Sequence, residues 1–314
     1  ESYNDSPAEL IYDEFENILF KDSSLGHNIL GTAEQVRSFT TEDALRFTRK
    51  LYRPDNAIFF AYGDIDFKKL VKLIGRALAD DDSGKLAAGI LPQISQITQI
   101  SRDENPVATE KSVSSVKSVG PKNYPSAGEE IAGQTIVMQK NTHQAHVMIG
   151  TRAYDVNDDR RMPLYLLNNI LGGPGMNAKL NLALREHNGL VYTVESTMVA
   201  YGDTGTWSIY FGCDEHDIKR CLRLVRKELD RMMEKPLSDS QLKAAKKQIK
   251  GQIGVACDNR ENFALDFGKS FLHYGWEKNV DCLYEQVEAI TSQQIQDVAR
   301  ELFDKNRLIT LIFK

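Results

Sequence analysis

Glu34–Tyr52 reads EQVRSFTTEDALRFTRKLY, and Glu285–Phe303 reads EQVEAITSQQIQDVARELF. At a constant offset of 251 residues (285 − 34) the two share Glu-Gln-Val, a Thr, an Arg and a Leu. The physics repeats with the letters. Thr40 with Asp43, and Thr291 with Gln294, have the N-cap and N3 spacing of a capping box, in which each side chain accepts from the other residue's backbone N–H. In the second copy Ile290 and Ile295 add the spacing of a hydrophobic staple. Each copy then passes through a polar turn, Arg53-Pro54-Asp55-Asn56 or Asp304-Lys305-Asn306-Arg307. A short apolar segment follows, Ala57–Tyr62 or Leu308–Phe313, and each reads as a strand. A capped helix, turn and strand occurring twice in the same order is a duplication.

The two copies differ in what precedes them. Taking the second unit from Ala132, Thr291 has 159 residues of its unit before it (291 − 132), whereas Thr40 has 39. The first unit is therefore expected to lack about 120 residues at its amino end. This divides the chain into residues 1–79, the carboxyl-terminal part of an incomplete first domain; residues 80–131, a linker; and residues 132–314, a complete second domain. The linker is rich in Asp, Ser, Gly, Pro and Thr, with Pro92, Pro106, Pro121 and Pro125 along it. That composition suits an extended connection, with short edge strands expected around Ile94–Ile100 and Val113–Val119.

Working outward, 314 residues with 41% hydrophobic content are enough for two packed cores. Lys and Arg number 39 against 44 Asp and Glu, a net charge of −5, and no basic stretch carries interleaved aromatics, so no nucleic-acid surface is indicated. The longest apolar runs fall far short of the ~20 residues that cross a bilayer. Cys213, Cys221, Cys257 and Cys282 have no CxxC spacing and read as reduced core thiols. Charge and cysteine usage together fit a reduced, cytoplasmic setting.

The second unit begins with expected strands at Gln134–Gln139 and Ala145–Thr151. A helix over 159–171 is stopped by Gly172-Gly173-Pro174-Gly175, and a short helix covers Ala178–Glu186. Strands at Leu190–Ala200 and Thr206–Phe211 follow. Past an Asp214 cap, a helix over 215–233 carries Ile218, Leu222, Val225, Leu229 and Met232 on one stripe. Helices over 239–255, with Ser238 and Gln241 as a further capping box, and over 261–274 lead into the repeated unit. Strands come as neighbours and helices in pairs, so the fold class is α+β: duplicated domains, each a mostly antiparallel sheet packed against helices, the first truncated at its amino end.

A search for chemistry finds no GxxxxGK[ST], GxSxG, HExxH or HxxEH. His143 and His146 are three apart, which on a strand points them to opposite faces and prevents a shared metal. The Gly172–Gly175 run follows a helix, and Pro174 removes a donor, so it reads as a helix stop and hinge instead of a phosphate cradle. Lys243, Lys246, Lys247 and Lys250 read as a solvated helix face. Leu184-Arg185-Glu186-His187-Asn188-Gly189-Leu190-Val191-Tyr192 is the most specific stretch. Taken alone it leaves two readings open. Arg185 is either a helix-end cation paired with Glu186 or a carbonyl, or a ligand-holding group; Tyr192 is either a half-buried strand residue or a hydrogen-bond donor to a ligand.

Its context resembles the pitrilysin/insulinase family of zinc peptidases, close to the mitochondrial processing peptidase and its bacterial relatives. The resemblance is carried by Leu25-Gly26-His27-Asn28-Ile29-Leu30-Gly31-Thr32, by Tyr52-Arg53-Pro54-Asp55-Asn56 with Gly63-Asp64, by Leu171-Gly172-Gly173, and by Arg185-Glu186 through Gly189-Leu190-Val191-Tyr192. It spans nearly all of the chain except the linker. The family's duplicated α+β domains agree with the repeat.

What the resemblance implies is an inverzincin: HxxEH and a later Glu hold a zinc ion that activates water. All of these would lie ahead of Glu1, so this chain is expected to carry no catalytic residue and no metal ligand. Zinc would belong to the intact parent, and the fragment alone would be inactive. Arg185 and Tyr192 match the family's substrate-holding pair. Glu9 falls where the family often places a carboxylate behind the zinc ligands, and is otherwise an exposed helix acid. Tyr165–Leu171, the second domain's equivalent of the zinc helix, has no ligands. The implied partner is a peptide or unfolded segment, with pairing either as a homodimer or with another subunit of the family. The alternative within the family is a non-catalytic partner subunit of a two-component peptidase. Metal analysis of the 314-residue chain is expected to find no stoichiometric, tightly held zinc; one zinc per chain would overturn the ligand placement.

Overall fold

The computed structural model describes residues 6–53, 56–61, 63–79, 133–140, 142–274 and 279–314. The expected linker strands lie outside these residues. Those described group into two compact units, each discontinuous in sequence. One takes residues 6–32, 133–253 and 280–314; the other takes residues 33–79 and 254–279, with the boundary inside helix α7 (Asp239–Asp258), after Ile253.

The first of these units is built on a five-stranded sheet of order β1-β5-β2-β4-β3. Its strands are β1 (Thr135–Met138), β2 (Ala145–Ala153), β3 (Val191–Ala200), β4 (Gly205–Cys213) and β5 (Ile309–Phe313). β1 runs parallel to β5, and the other pairings are antiparallel. β2 and β4 are buried along nearly their whole length, so both of their faces are covered. One cover comes from α5 (Arg161–Gly172), α6 (Ile218–Glu234) and α10 (Ser292–Leu302). On that side Trp207 of β4 packs on Phe303, ring centroids 4.5 Å apart. Gly172 ends α5 against β3: a Cβ there would come within 2.5 Å of the Ser196 backbone nitrogen. Asn168, one turn earlier, donates from Nδ2 to the Ser196 carbonyl at 2.9 Å.

The other face is covered by α1 (Pro7–Leu19), which lies far away in sequence. Leu10, Ile11, Phe15, Leu19 and the following Phe20 form one apolar cluster with Met148, Tyr210, Ile309, Leu311 and Phe313 of the strands. Polar contacts fix the seat. The Arg152 guanidinium donates from Nε (2.8 Å) and Nη2 (2.6 Å) to the Leu19 carbonyl and lies 5.0 Å from the centre of the Phe20 ring. A cation here satisfies an orphan carbonyl at the negative end of the helix dipole. Tyr12 donates to Glu195, and Tyr201 donates to Glu16 at 2.8 Å.

The stripe of α6 is Ile218, Cys221, Val225, Leu229 and Met232, with Cys221 buried where Leu222 was expected. The register is unchanged: Cys221 and Leu222 lie three and four residues after Ile218 on the same face, Cys221 fully buried and Leu222 partly so; residues 215–217 form a separate 3-10 turn, and Asp214 makes no side-chain cap there. Of the four thiols only Cys213 and Cys221 belong to the core; Cys257 is half-buried and Cys282 exposed. Cys213 and Cys221 share a hydrogen bond, which together with burial raises the Cys213 thiol above its ordinary value.

The repeat is physical. Thr40/Asp43 and Thr291/Gln294 form complete reciprocal capping boxes on α3 (Thr41–Leu51) and α10. Each capped helix follows a helix carrying Glu-Gln-Val: α2 (Ala33–Ser38) and α9 (Val280–Ala289). The burial differs. Val298, Leu302 and Phe303 are buried, whereas the matching Phe47, Leu51 and Tyr52 are 55%, 36% and 76% exposed. Residues 57–61, expected to begin a strand, are irregular. β5 is hydrogen-bonded on both sides by β1 and β2, and among the described residues no strand flanks 57–61. Without a ladder the apolar pattern alone does not make a strand. The second unit also holds α4 (Phe67–Ala79) and α8 (Arg260–Tyr274), and Phe60 packs on Phe267 of α8 at 5.0 Å.

Burial raises the Glu16 carboxyl above its ordinary value; the Tyr201 hydrogen bond pulls it back by less, and Asp13 adds to the rise. The folded state therefore holds this proton more tightly than the unfolded chain. Its stabilising effect is present below the ordinary carboxylate value of about 4 and is lost as pH rises through the raised value. Relative to Glu16→Gln, the wild type is expected to lose stability from about pH 4 upward, read as a widening gap in urea midpoints; a constant gap would contradict the burial of this carboxyl.

Candidate functional site

The stretch from Ala178 to Tyr192 is a short helix, a turn and the start of β3. Ala178, Leu180 and Leu184 are buried and anchor the helix to the unit. Asn181–Glu186 is π-helical where an α-helix was expected, and the His187 N–H donates to the Leu182 carbonyl five residues back at 3.0 Å. A π turn inserts one extra residue per turn and recurs at functional sites. Gly189 then takes φ +61°, as expected for a helix-terminating glycine. The Gly189 N–H donates to the Arg185 carbonyl at 2.8 Å, and the Leu190 N–H to the Leu184 carbonyl at 2.9 Å. Val191 is buried and pairs with Cys213, and a bulge separates it from Val194.

That backbone decides where the two singled-out side chains go. Tyr192 is 82% exposed, within the register shift between Val191 and Val194, so the half-buried reading is corrected: beside the buried Val191 it faces outward, and the in–out alternation breaks at the next residue, Thr193, which is exposed too. Arg185 is half exposed, and its nearest carboxylate is Glu186 at 3.9 Å. A solvent-facing pair at that distance contributes little. Neither side chain supports the core. Both leave the same short segment, at opposite ends of a turn of six residues.

Asn188 ties that turn to its surroundings. Its Nδ2 donates to the Ala183 carbonyl at 2.8 Å, and its Oδ1 accepts from Arg220 Nη2 of α6 at 2.9 Å. Neither residue stood out in the sequence. The only signal was Asn-Gly directly after a helical stretch, which marks a turn but not its tertiary partner.

The remaining candidates resolve as follows. Glu9 is an exposed acid in the first turn of α1. His143 lies in the bend before β2, while His146 lies on it with Nδ1 2.9 Å from the Tyr210 hydroxyl; burial lowers its affinity for a proton. The Lys243–Lys250 face is only partly solvated, since Lys246 and Lys250 donate to the Glu288 carbonyl (2.6 Å) and carboxylate (2.8 Å). Among the described residues one trio, Asp214, His216 and Asp217, brings three ligand atoms within 4.8 Å, on an exposed acidic turn. Its Asp, His, Asp make-up differs from the two-histidine, one-glutamate set of an inverzincin.

Comparison with known proteins bears on this arrangement. The family profile described as "Peptidase M16 inactive domain" matches residues 38–249. An uncharacterized zinc protease of Streptomyces coelicolor is 27% identical over 98% of this chain, and one of Bacillus subtilis is 24% identical over 99%. The chain spans 61% and 66% of those two relatives. The crystal structure of a protease from Helicobacter pylori superimposes with a TM-score of 0.74 at 17% identity, covering 99% of this chain and 68% of that one, and so shares the fold.

At Gly189 a Cβ would meet no atom within 4 Å, so the cost of a side chain there is purely that of the left-handed backbone. Gly189→Ala is expected to lower unfolding stability by about 1 kcal/mol, measured by urea denaturation. An unchanged midpoint would mean that the turn does not need this conformation.

Proposed function

The chain belongs to the M16 peptidase family, and from that membership we propose that it is the substrate-positioning part of a zinc-dependent endopeptidase acting on peptides or unfolded segments. In this reading residues 1–79 complete a catalytic-type domain, 80–131 connect, and 132–314 present Arg185 and Tyr192 to the peptide. The observation that carries it is the presentation of those two side chains: both exposed, neither used by the core, both leaving a turn whose backbone is fixed by the π turn and Gly189.

The chemistry suits peptide hydrolysis. A guanidinium is a planar double donor that holds a peptide carbonyl or carboxylate in a set orientation. A phenol donates to the scissile carbonyl oxygen as it gains negative charge, and such a bond strengthens toward the transition state. Zinc, when bound by the longer protein, would supply the activated water. No described residue is assigned to it, and the roles of Arg185 and Tyr192 are stated without it. The match to a profile described as an inactive domain supports a second reading, in which the polypeptide lends these groups to an active partner subunit.

The test uses the full-length protein that contains this chain and a quenched fluorescent peptide. Tyr192→Phe is expected to lower kcat on the order of 100-fold with KM within about threefold. An unchanged kcat removes Tyr192 from the mechanism. Peptide binding without turnover by the wild type assigns the partner role instead.

A further inference from the structure

We propose that Asn188 and Arg220 are positioning residues: a clamp from α6 that holds the turn carrying Arg185 and Tyr192 in the orientation that grips peptide. The inference rests on the reading of those two residues given above.

Exposed side chains held by little else, Arg185 by the long 3.9 Å pair with its neighbour Glu186, inherit their placement from the backbone. Here that backbone is a turn between a π-helical end and a bulged strand, both of them departures from regular ladders. Its internal bonds, from the N–H groups of His187, Gly189 and Leu190 back to Leu182, Arg185 and Leu184, shape the turn but do not fix it to the rest of the unit. Val191, paired with Cys213, anchors one end, and Leu184 in the core anchors the other. Between those anchors, the Asn188 side chain is hydrogen-bonded to another element, α6.

The chemistry at Asn188 is specific. Arginine can only donate and a backbone carbonyl can only accept, so the bridging group must accept on one atom and donate on another. Asn188 does both within one short amide, accepting from Arg220 and donating to Ala183. The carbonyl it satisfies is one that the π turn leaves without an ordinary helical donor. Arg220 is itself placed by α6, whose neighbouring Cys221 is fully buried, so the clamp is referred to the core of the unit.

Two measurements test it. On the 314-residue chain, amide hydrogen exchange of residues 187–192 is expected to quicken at least tenfold in Asn188→Ala and in Arg220→Leu. Arg220→Lys, which keeps a donor, should restore protection, and urea midpoints should barely move because both sites are on the surface. In the peptide assay of the full-length protein, Asn188→Ala is expected to lower kcat about tenfold with KM little changed, again with recovery in Arg220→Lys. Unchanged exchange in Asn188→Ala overturns the clamp whatever the kinetics show. Faster exchange with wild-type kcat, in an enzyme that Tyr192→Phe does impair, also overturns it. If Tyr192→Phe and Asn188→Ala both leave kcat intact, the peptide-holding reading falls first and the clamp's functional role falls with it.

Discussion

Two neighbouring interior strands of the sheet are buried on both faces, and that constraint governs the larger part of the unit built on it. β2 and β4 cannot be half-solvated strands; each face needs an apolar cover. One cover comes from neighbouring helices of the same stretch of chain. The other comes from α1, and its seat is fixed by Arg152 on the Leu19 carbonyl, across 133 residues of sequence. A buried guanidinium on a helix end is worth having only if the helix is in place, and the apolar face of α1 is worth burying only against this sheet. The pairs Tyr12–Glu195 and Tyr201–Glu16 then reach β3 and the residue after it, so the covered face extends to the strand that begins at Val191.

The candidate site lies just beyond that rigid part. Its backbone departs from regular structure three times within a few residues, through a π turn, a left-handed glycine and a bulge. Each departure is inexpensive alone. Together they turn an arginine and a tyrosine away from the core while leaving Leu184 and Val191 inside it. Rigid anchors on both sides of an irregular segment are what a binding group needs: its position is set by the scaffold and its side chain is free to meet a ligand.

Much of the local structure was legible from residues alone because it is decided locally. Thr40 with Asp43 and Thr291 with Gln294 cap helices by contacts within four residues, and Gly189 ends a helix by its own backbone freedom. What was not legible depends on distant partners. Residues 57–61 have the apolar pattern of β5 but no neighbouring ladder among the described residues. The widening of Asn181–Glu186 comes from one extra residue in a helical turn, and the choice of Cys221 over Leu222 as the more buried is made between two neighbours on one helix face; side-chain periodicity resolves neither. The exposure of Tyr192 is accompanied by a register shift in β3 that no residue type announces. Nor does amphipathicity state which sheet a helix will cover, so the seat of α1 could not be read at all. The pairing of Arg185 with Tyr192 came from a family pattern and not from physics, and the structure adds what that pattern could not: the turn that carries both.

The seat of α1 also has a consequence for how the protein is made. A ribosome adds residues at roughly 5–20 per second, so α1 emerges on the order of ten seconds before Arg152 and longer still before β5. During that interval the strands that Leu10, Ile11, Phe15 and Leu19 pack on in this unit are still to be made. β5, the last of the five strands in chain order, is one of those α1 packs on. Within this unit the sheet face beneath α1 is therefore complete only once β5 has been made.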